Sequence, residues 1–249
     1  MYKGKLVKYY DDLYHNKDYI AESKFIEESS KLNKVLDVGC GTGTHIKNLC
    51  KDERMFFGID PENEIIEKAS IKFKDNPNVF FKNCHVSEFT EESSFDTVIS
   101  MFNVVNHILS ESDLELYFKS ISELLVNGGT FIFDCFNSNA VINDKPKVTM
   151  KEVVSSAVGG SYMISCTPVF DSDTGYMKMD NNVRVFHLGA EVDRFDYTLE
   201  HRIWLLHFLE ELVEKYSMRI EKIVSNFDYN KKASNNDYKI TFICKKETK

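Results

Sequence analysis

The stretch Val35-Leu36-Asp37-Val38-Gly39-Cys40-Gly41-Thr42-Gly43-Thr44-His45 constrains this chain more than any other. Short apolar residues open it as a buried parallel strand, glycines at alternate positions turn it, and a helical pattern starts at Thr44. Glycine is needed where the backbone takes a positive φ or where another atom passes so close that a Cβ would clash. A strand that feeds a helix through such a turn builds a ligand loop, and the spacing narrows the ligand. A dinucleotide fingerprint runs Gly-x-Gly-x-x-Gly and seats a pyrophosphate on the helix N-terminus. Here the third glycine, Gly43, comes one place early, and Thr44 fills the position which that pattern needs. Asp37 at the strand end repels a pyrophosphate and suits a cationic amine.

A second acid follows. Met55-Phe56-Phe57-Gly58-Ile59-Asp60 reads as another buried strand, and its terminal Asp60 lies roughly 20 residues past the first glycine, where a carboxylate can accept both hydroxyls of a ribose. Capping is the alternative for Asp60, because Pro61-Glu62-Asn63-Glu64 opens a helix with Ile65, Ile66 and Ala69 on one face. A third strand is expected over 78–81, followed by the loop Asn83-Cys84-His85-Val86-Ser87-Glu88-Phe89, and a fourth over 95–102. Ser112-Asp113 caps an amphipathic helix that stops at Asn127-Gly128-Gly129, before a fifth strand over 130–135. These alternations predict a doubly wound sheet, whose ligands sit outside the carboxyl ends of the strands. Asn103, Asn106 and His107 leave the fourth strand at that end, placed for donor and acceptor contacts; an ordinary loop histidine is the other reading of His107.

Beyond residue 146 the pattern changes. The segments 147–158, 161–170, 176–187 and 192–204 have alternating or β-branched character, and turn signals at Gly159-Gly160 and Asp173-Thr174-Gly175 join them. They predict an inserted antiparallel sheet that covers the site mouth, forms a homodimer surface, or both. A helix over 205–216 and strands over 219–227 and 238–244 close the chain. At the start, the aromatic run 9–19 precedes a helical pattern carried by Ile20, Phe25, Ile26 and Leu32. It reads either as a surface helix or as a lid whose tyrosines offer π faces to a cation. The expected organisation is one domain, 1–249, with a lid (1–32), a core (33–140 and 205–249) and an insertion (147–204).

Bulk properties set outer bounds. A length of 249 residues suits one elaborated α/β domain, and no apolar run approaches the roughly 20 residues of a membrane span. With no apolar leader after Met1, a cytoplasmic protein without membrane partner is expected. The net charge of −8 disfavours nucleic acid, which prefers a basic face. The six cysteines lack the paired spacing of a zinc or redox site, so no metal is expected.

The glycine run resembles motif I of the Rossmann-like S-adenosylmethionine (SAM) methyltransferases. Together with Tyr10-Asp11, Lys17-Asp18-Tyr19, Val98-Ile99-Ser100-Met101-Phe102, Asn127-Gly128-Gly129 and Glu200-His201-Arg202, the likeness extends to bacterial N,N-dimethyltransferases of nucleotide-linked amino sugars and to methyltransferases of polysaccharide biosynthesis. A departure is Cys135-Phe136-Asn137, where those sugar enzymes tend to carry a tryptophan pair. The resemblance implies an α/β, doubly wound, mostly parallel sheet of seven strands with an antiparallel closing hairpin. It also implies SAM as cofactor, S-adenosylhomocysteine as product and methyl transfer to nitrogen or oxygen of a small acceptor. Cofactor contacts are expected from Tyr10, Asp37, Gly39, Cys40, Gly41, Thr42, Gly43, Asp60, Pro61, Val86, Met101 and Phe102. His85 stands where such enzymes place an acid for the adenine amino group, and its neutral ring nitrogen is expected to accept that bond. Acceptor contacts are expected from Tyr14, Asn103, Asn106, His107, Phe136, Asn137 and His201, with Tyr14 or His107 taking a proton. An RNA or protein methyltransferase, a dehydrogenase and a non-catalytic SAM-binding module are the rival readings.

Overall fold

The computed structural model describes residues 3–51, 53–90, 95–155 and 160–248. Two helices, α1 (Lys5–Leu13) and α2 (Tyr19–Ser29), precede the alternating core. That core runs β1 (Lys34–Val38), α3 (Thr44–Leu49), β2 (Met55–Asp60), α4 (Asn63–Lys72), β3 (Val79–Asn83), β4 (Phe95–Ser100), α5 (Glu111–Leu124) and β5 (Leu125–Phe136). After α6 (Ser138–Asn143) come the inserted strands β6 (Thr149–Ser155), β7 (Gly160–Phe170), β8 (Tyr176–His187) and β9 (Ala190–Arg202). Helix α7 (Leu206–Lys215) and strands β10 (Met218–Ser225) and β11 (Lys239–Lys246) follow.

The main sheet has seven strands in the order β10-β11-β5-β4-β1-β2-β3, and a separate four-stranded sheet is ordered β6-β7-β8-β9. Strands β1 to β5 pair in parallel, whereas β11 is antiparallel to both β5 and β10, as the closing hairpin requires. Helices cover both faces, which is why these strands are apolar on successive residues. One face packs Leu36, Val98, Phe131 and Phe133 against α5 and α7, and the other packs Val35, Ile99 and Ile132 against α2 and α3. Each such side chain contributes about 1.5–3 kcal/mol on full burial.

The aromatic N-terminal segment is the seam between the two sheets. Leu6 and Leu13 of α1 pack on Val153, Tyr162, Ile164 and Val183 of the insertion, while Val7 and Tyr10 face Ile65 of α4. Asp11 ties the same helix down through Lys68, Lys72 and Thr42. The helix is therefore packed on both sides, against the insertion and against α4.

Two local expectations are corrected. Asn127-Gly128-Gly129 does not cap α5, which ends at Leu124; the three residues lie inside a long, bulged β5. The N-cap of α5 is Ser110, whose hydroxyl accepts the Asp113 N–H, and not Ser112-Asp113. The Gly159 part of the expected turn before β7 lies outside the described residues.

Candidate active site

The glycine loop lies at the carboxyl end of β1, with φ of 72° at Gly39, 55° at Gly41 and 78° at Gly43. What occupies the space of each missing Cβ is the protein itself. An added Cβ would meet Val104 at 2.5 Å from Gly39, the Tyr10 hydroxyl at 3.2 Å from Gly41, and Phe73 at 2.9 Å from Gly43. The loop is thus clamped between α1, the segment after β4 and the end of α4. Gly39 and Cys40 donate their N–H groups to the Ile59 carbonyl, which docks the loop on β2.

That docking brings the two acids together. Asp60 accepts the Gly41 N–H at 3.2 Å and the Glu62 N–H at 3.0 Å. Burial pushes its carboxyl up to about 6, against the pull of those two donors. Asp37 is fully buried, its Oδ2 has no hydrogen-bond partner, and burial likewise raises it to about 6, with His45 opposing. A buried orphaned carboxylate oxygen is expensive unless a ligand cation completes it.

Two adjoining cavities open at the glycine loop: Asp60 lines the smaller, and Asp37 is buried directly behind Val38 and Gly39, which border them. The smaller, about 200 Å³, is lined by Tyr10, Gly41, Asp60, Met101 and Phe102 among others. The larger, about 550 Å³, is lined by Val38, Cys84, His85, Val86 and Tyr117 among others. Gly39, Pro61, Val104 and His107 border both, so the cavities form one trough past the ends of β4, β1, β2 and β3. An apolar slot for a flat ring, an acid placed for a ribose and an orphaned carboxylate for an ammonium match SAM, and the acids are unsuited to a pyrophosphate. Among the described residues no cluster of His, Cys, Asp and Glu is arranged for a metal.

Beyond the trough, Phe102 and Asn103 both adopt left-handed φ, 75° and 58°. Non-glycine residues hold such angles only where their surroundings over-determine them. Here Asp134 Oδ1 accepts the Asn103 N–H at 2.7 Å, and the Phe102 ring is gripped edge-on by Tyr14 with centroids 5.0 Å apart. His107 donates Nδ1–H to the Glu200 carbonyl at 3.2 Å, which fixes its tautomer and puts the lone pair on Nε2. Its ring lies 4.3 Å from that of His201, which in turn meets Phe136 edge-on at 5.5 Å. Burial lowers His107 to about 4 and His201 to about 3, so both are neutral at pH 7. The inserted strand β9 therefore contributes His201 to an aromatic cluster with His107 and Phe136, next to the cavity that Phe102 and His107 line.

Several expected ligand residues are committed elsewhere. Asn106 is fully buried, donating to the Arg202 carbonyl at 2.8 Å and accepting the Phe136 N–H at 3.0 Å. Asn137 caps α6 and donates to the Ser234 and Asp237 carbonyls. Thr42 gives its hydroxyl proton to Asp11, and the Cys40 thiol is buried against the space of Gly58. Gly43 is the left-handed N-cap of α3. His85 borders the larger cavity, but a ring nitrogen already accepts the Glu88 N–H in a capping box. The other nitrogen of the neutral ring then carries the proton, so this side chain presents a donor and not the expected acceptor. The Asn103 side chain stays in play, with Oδ1 buried and without partner.

Replacing Asn106 by alanine leaves a buried N–H and a buried carbonyl unsatisfied, each worth about 1–3 kcal/mol. The expected result is a loss of about 2–4 kcal/mol of stability in denaturant titration, larger than its effect on SAM affinity.

Other residues meet here without having been singled out for the site. Glu22 of α2 accepts from His45 Nε2 at 2.7 Å and pairs with Lys17. Lys17 Nζ lies 4.4 Å from the Tyr19 ring centroid and 5.0 Å from that of Phe102. Lys239 reaches the same Phe102 ring from β11.

Comparison with known proteins agrees with this geometry. Residues 35–129 match the family described as methyltransferase domain. A putative methyltransferase of Bacillus subtilis, YqeM, is 25% identical over 229 residues, covering 91% of this chain and 90% of the relative. The dTDP-3-amino-3,4,6-trideoxy-alpha-D-glucopyranose N,N-dimethyltransferase of Streptomyces venezuelae is 27% identical over 141 residues, 54% of this chain and 58% of that protein. The crystal structure of a SAM-dependent methyltransferase from Clostridium acetobutylicum superimposes with a TM-score of 0.81 at 24% identity, covering 98% of each chain. Residues 35–129 are a methyltransferase domain, and the chain is a SAM-dependent methyltransferase of Rossmann-like fold.

Proposed function

We propose that this enzyme methylates a nitrogen or oxygen of a small polar acceptor, with a nucleotide-linked amino sugar or related polysaccharide precursor as the substrate class. The carrying observation is the aromatic cluster beneath the insertion, where β9 brings His201 onto His107 and Phe136 at the edge of the trough that His107 lines. A trough bordered by the insertion and by aromatic rings suits a sugar-sized acceptor, whereas RNA calls for an open basic cleft. The Streptomyces venezuelae relative, named for an amino-sugar nucleotide, supports the same class. The proposal includes a cytoplasmic enzyme, and no helix among the described residues is long and apolar enough to cross a membrane. It includes a homodimer through the insertion, where edge strand β6 exposes Met150 and Val154 beside Val148.

SAM supplies an activated methyl group on a sulfonium, so the protein's task is mainly alignment, worth on the order of 7–11 kcal/mol. Asp37 would hold the ammonium and Asp60 the ribose, while Tyr10, Met101 and Phe102 wall the donor. His107, neutral with its lone pair on Nε2, orients an acceptor N–H or O–H by accepting from it. A group titrating near 4 does not retain a proton at neutral pH, so the proton passes on to water. The Tyr14 hydroxyl, bonded to Tyr197, is the second orienting group.

In the test, purified enzyme with SAM is offered a panel of amino-sugar nucleotides and small amines, with product mass as the readout. Tyr14→Phe and His107→Ala are expected to lower kcat by about 10–100-fold, in line with removal of positioned proton-handling groups, with SAM affinity within a few-fold. Unchanged turnover in both variants removes these residues from the mechanism.

A further inference from the structure

Lys239 opens β11 and stands in register with Phe136 at the end of β5. Its Nζ lies 5.3 Å from the Phe102 ring centroid and 5.7 Å from that of Phe136, between the ring that lines the smaller cavity and the aromatic cluster around His201. Lys17 approaches the same Phe102 ring, but Glu22 neutralises it. Lys239 makes no ion pair among the described residues and is half-buried among aromatic rings, which compensate a lysine only in part. The carboxyl that feels its charge, Asp134, spends Oδ1 on Asn103 and leaves Oδ2 without a bond. His201, across the Phe136 ring, feels the same charge, and its buried Nδ1 has no partner.

The site is therefore polarised. The donor end presents Asp37 and Asp60, suited to cationic and hydroxyl groups, while the acceptor end presents the Lys239 ammonium, which Asp134 feels at a distance but does not bond. We propose that Lys239 fixes acceptor specificity by holding an anionic group of the acceptor, a phosphate or a carboxylate, against the Phe102 and Phe136 rings, with His201 Nδ1 beside it. This inference rests on the small-acceptor reading and adds the charge which that acceptor must carry.

The test uses full-length protein saturated with S-adenosylhomocysteine, titrated in a calorimeter with thymidine diphosphate, inorganic pyrophosphate and succinate. Binding of one or more of these anions to the wild type is expected. Lys239→Met should weaken that binding by at least about tenfold, Lys239→Arg should keep it within a few-fold, and affinity for S-adenosylhomocysteine should stay within about twofold in both. Diphosphate binding points to a nucleotide-linked acceptor, and succinate binding alone points to a free carboxylate. Equal anion affinity in wild type and Lys239→Met, or no anion binding by the wild type, overturns the proposal. Failure to methylate any sugar nucleotide while the Lys239-dependent anion site persists overturns only the sugar assignment. Melting curves establish that Lys239→Met is folded, and Lys239→Gln replaces it if not.

Discussion

Gly39→Ala is expected to damage both stability and cofactor binding through a single added methyl. The position has a φ of 72°, and an added Cβ would lie 2.5 Å from Val104 Cγ2 and 3.0 Å from Cγ1. The left-handed conformation alone costs an L-residue about 1–2 kcal/mol. The overlap adds to this by driving Val104 and the short 3-10 helix Val104–His107 away from the loop. Val104 borders both cavities, so the displacement reaches the cofactor site directly. We expect a stability loss of about 2–3 kcal/mol and a fall of at least about tenfold in affinity for S-adenosylhomocysteine. The two causes separate in the double variant Gly39→Ala/Val104→Ala, which removes the overlap and leaves the backbone strain. It should recover affinity relative to the sum of the single changes, a coupling that independent sites do not show. Strict additivity in calorimetry would mean that the clash with Val104 is not what damages the site.

The same loop shows what a linear sequence can reveal. Gly39, Gly41 and Gly43 were legible because backbone geometry leaves a residue almost no choice at positive φ, and Asp60 because its distance from them follows from one strand-helix-strand unit. Asn106 and Asn137 misled for the opposite reason. An amide that bridges two backbone groups and an amide that binds a substrate are chemically identical until the partners are seen. His85 failed more narrowly, since its position beside the cavity agrees with the reading while the Glu88 N–H decides which nitrogen carries the proton. Lys17, Asp134 and Lys239 could not be grouped from spacing at all. They meet only because the strand order puts β11 beside β5 and β5 beside β4, and because α2 carries its N-terminal neighbours over those strand ends. The Lys17-Asp18-Tyr19 and His45 matches did hold a signal, as Lys17, Tyr19 and His45 gather around the buried Glu22 while Asp18 caps α2.

Asp37→Asn should separate stability from function more sharply than any other substitution here. Burial raises the Asp37 carboxyl to about 6 in the folded protein, against an ordinary value of 3.8. The folded state therefore binds its proton more tightly than the unfolded chain does. Stability is lost as pH rises through the window between those values, and above it the full cost of about 3 kcal/mol remains. Asparagine removes the ionisation while keeping the shape, so the unliganded variant should be more stable than wild type at pH 8. Its advantage should shrink by about 1 kcal/mol at pH 5, where the wild-type carboxyl is mostly protonated. Binding moves the other way. In the proposed donor pose the ammonium of SAM would complete the orphaned Oδ2, and a hydrogen bond to a charged group is worth about 1.5–3 kcal/mol, so affinity should fall about 10–100-fold at pH 8. Wild-type affinity should itself weaken from pH 8 to pH 5 as protons compete for Asp37 and Asp60, while the variant retains only the Asp60 part of that dependence. Denaturant titrations and calorimetry at the two pH values measure both halves. A variant that is less stable than wild type at pH 8 would mean that Asp37 is paid for by contacts inside the protein. A gain in stability with a loss of affinity places the compensating charge on the cofactor.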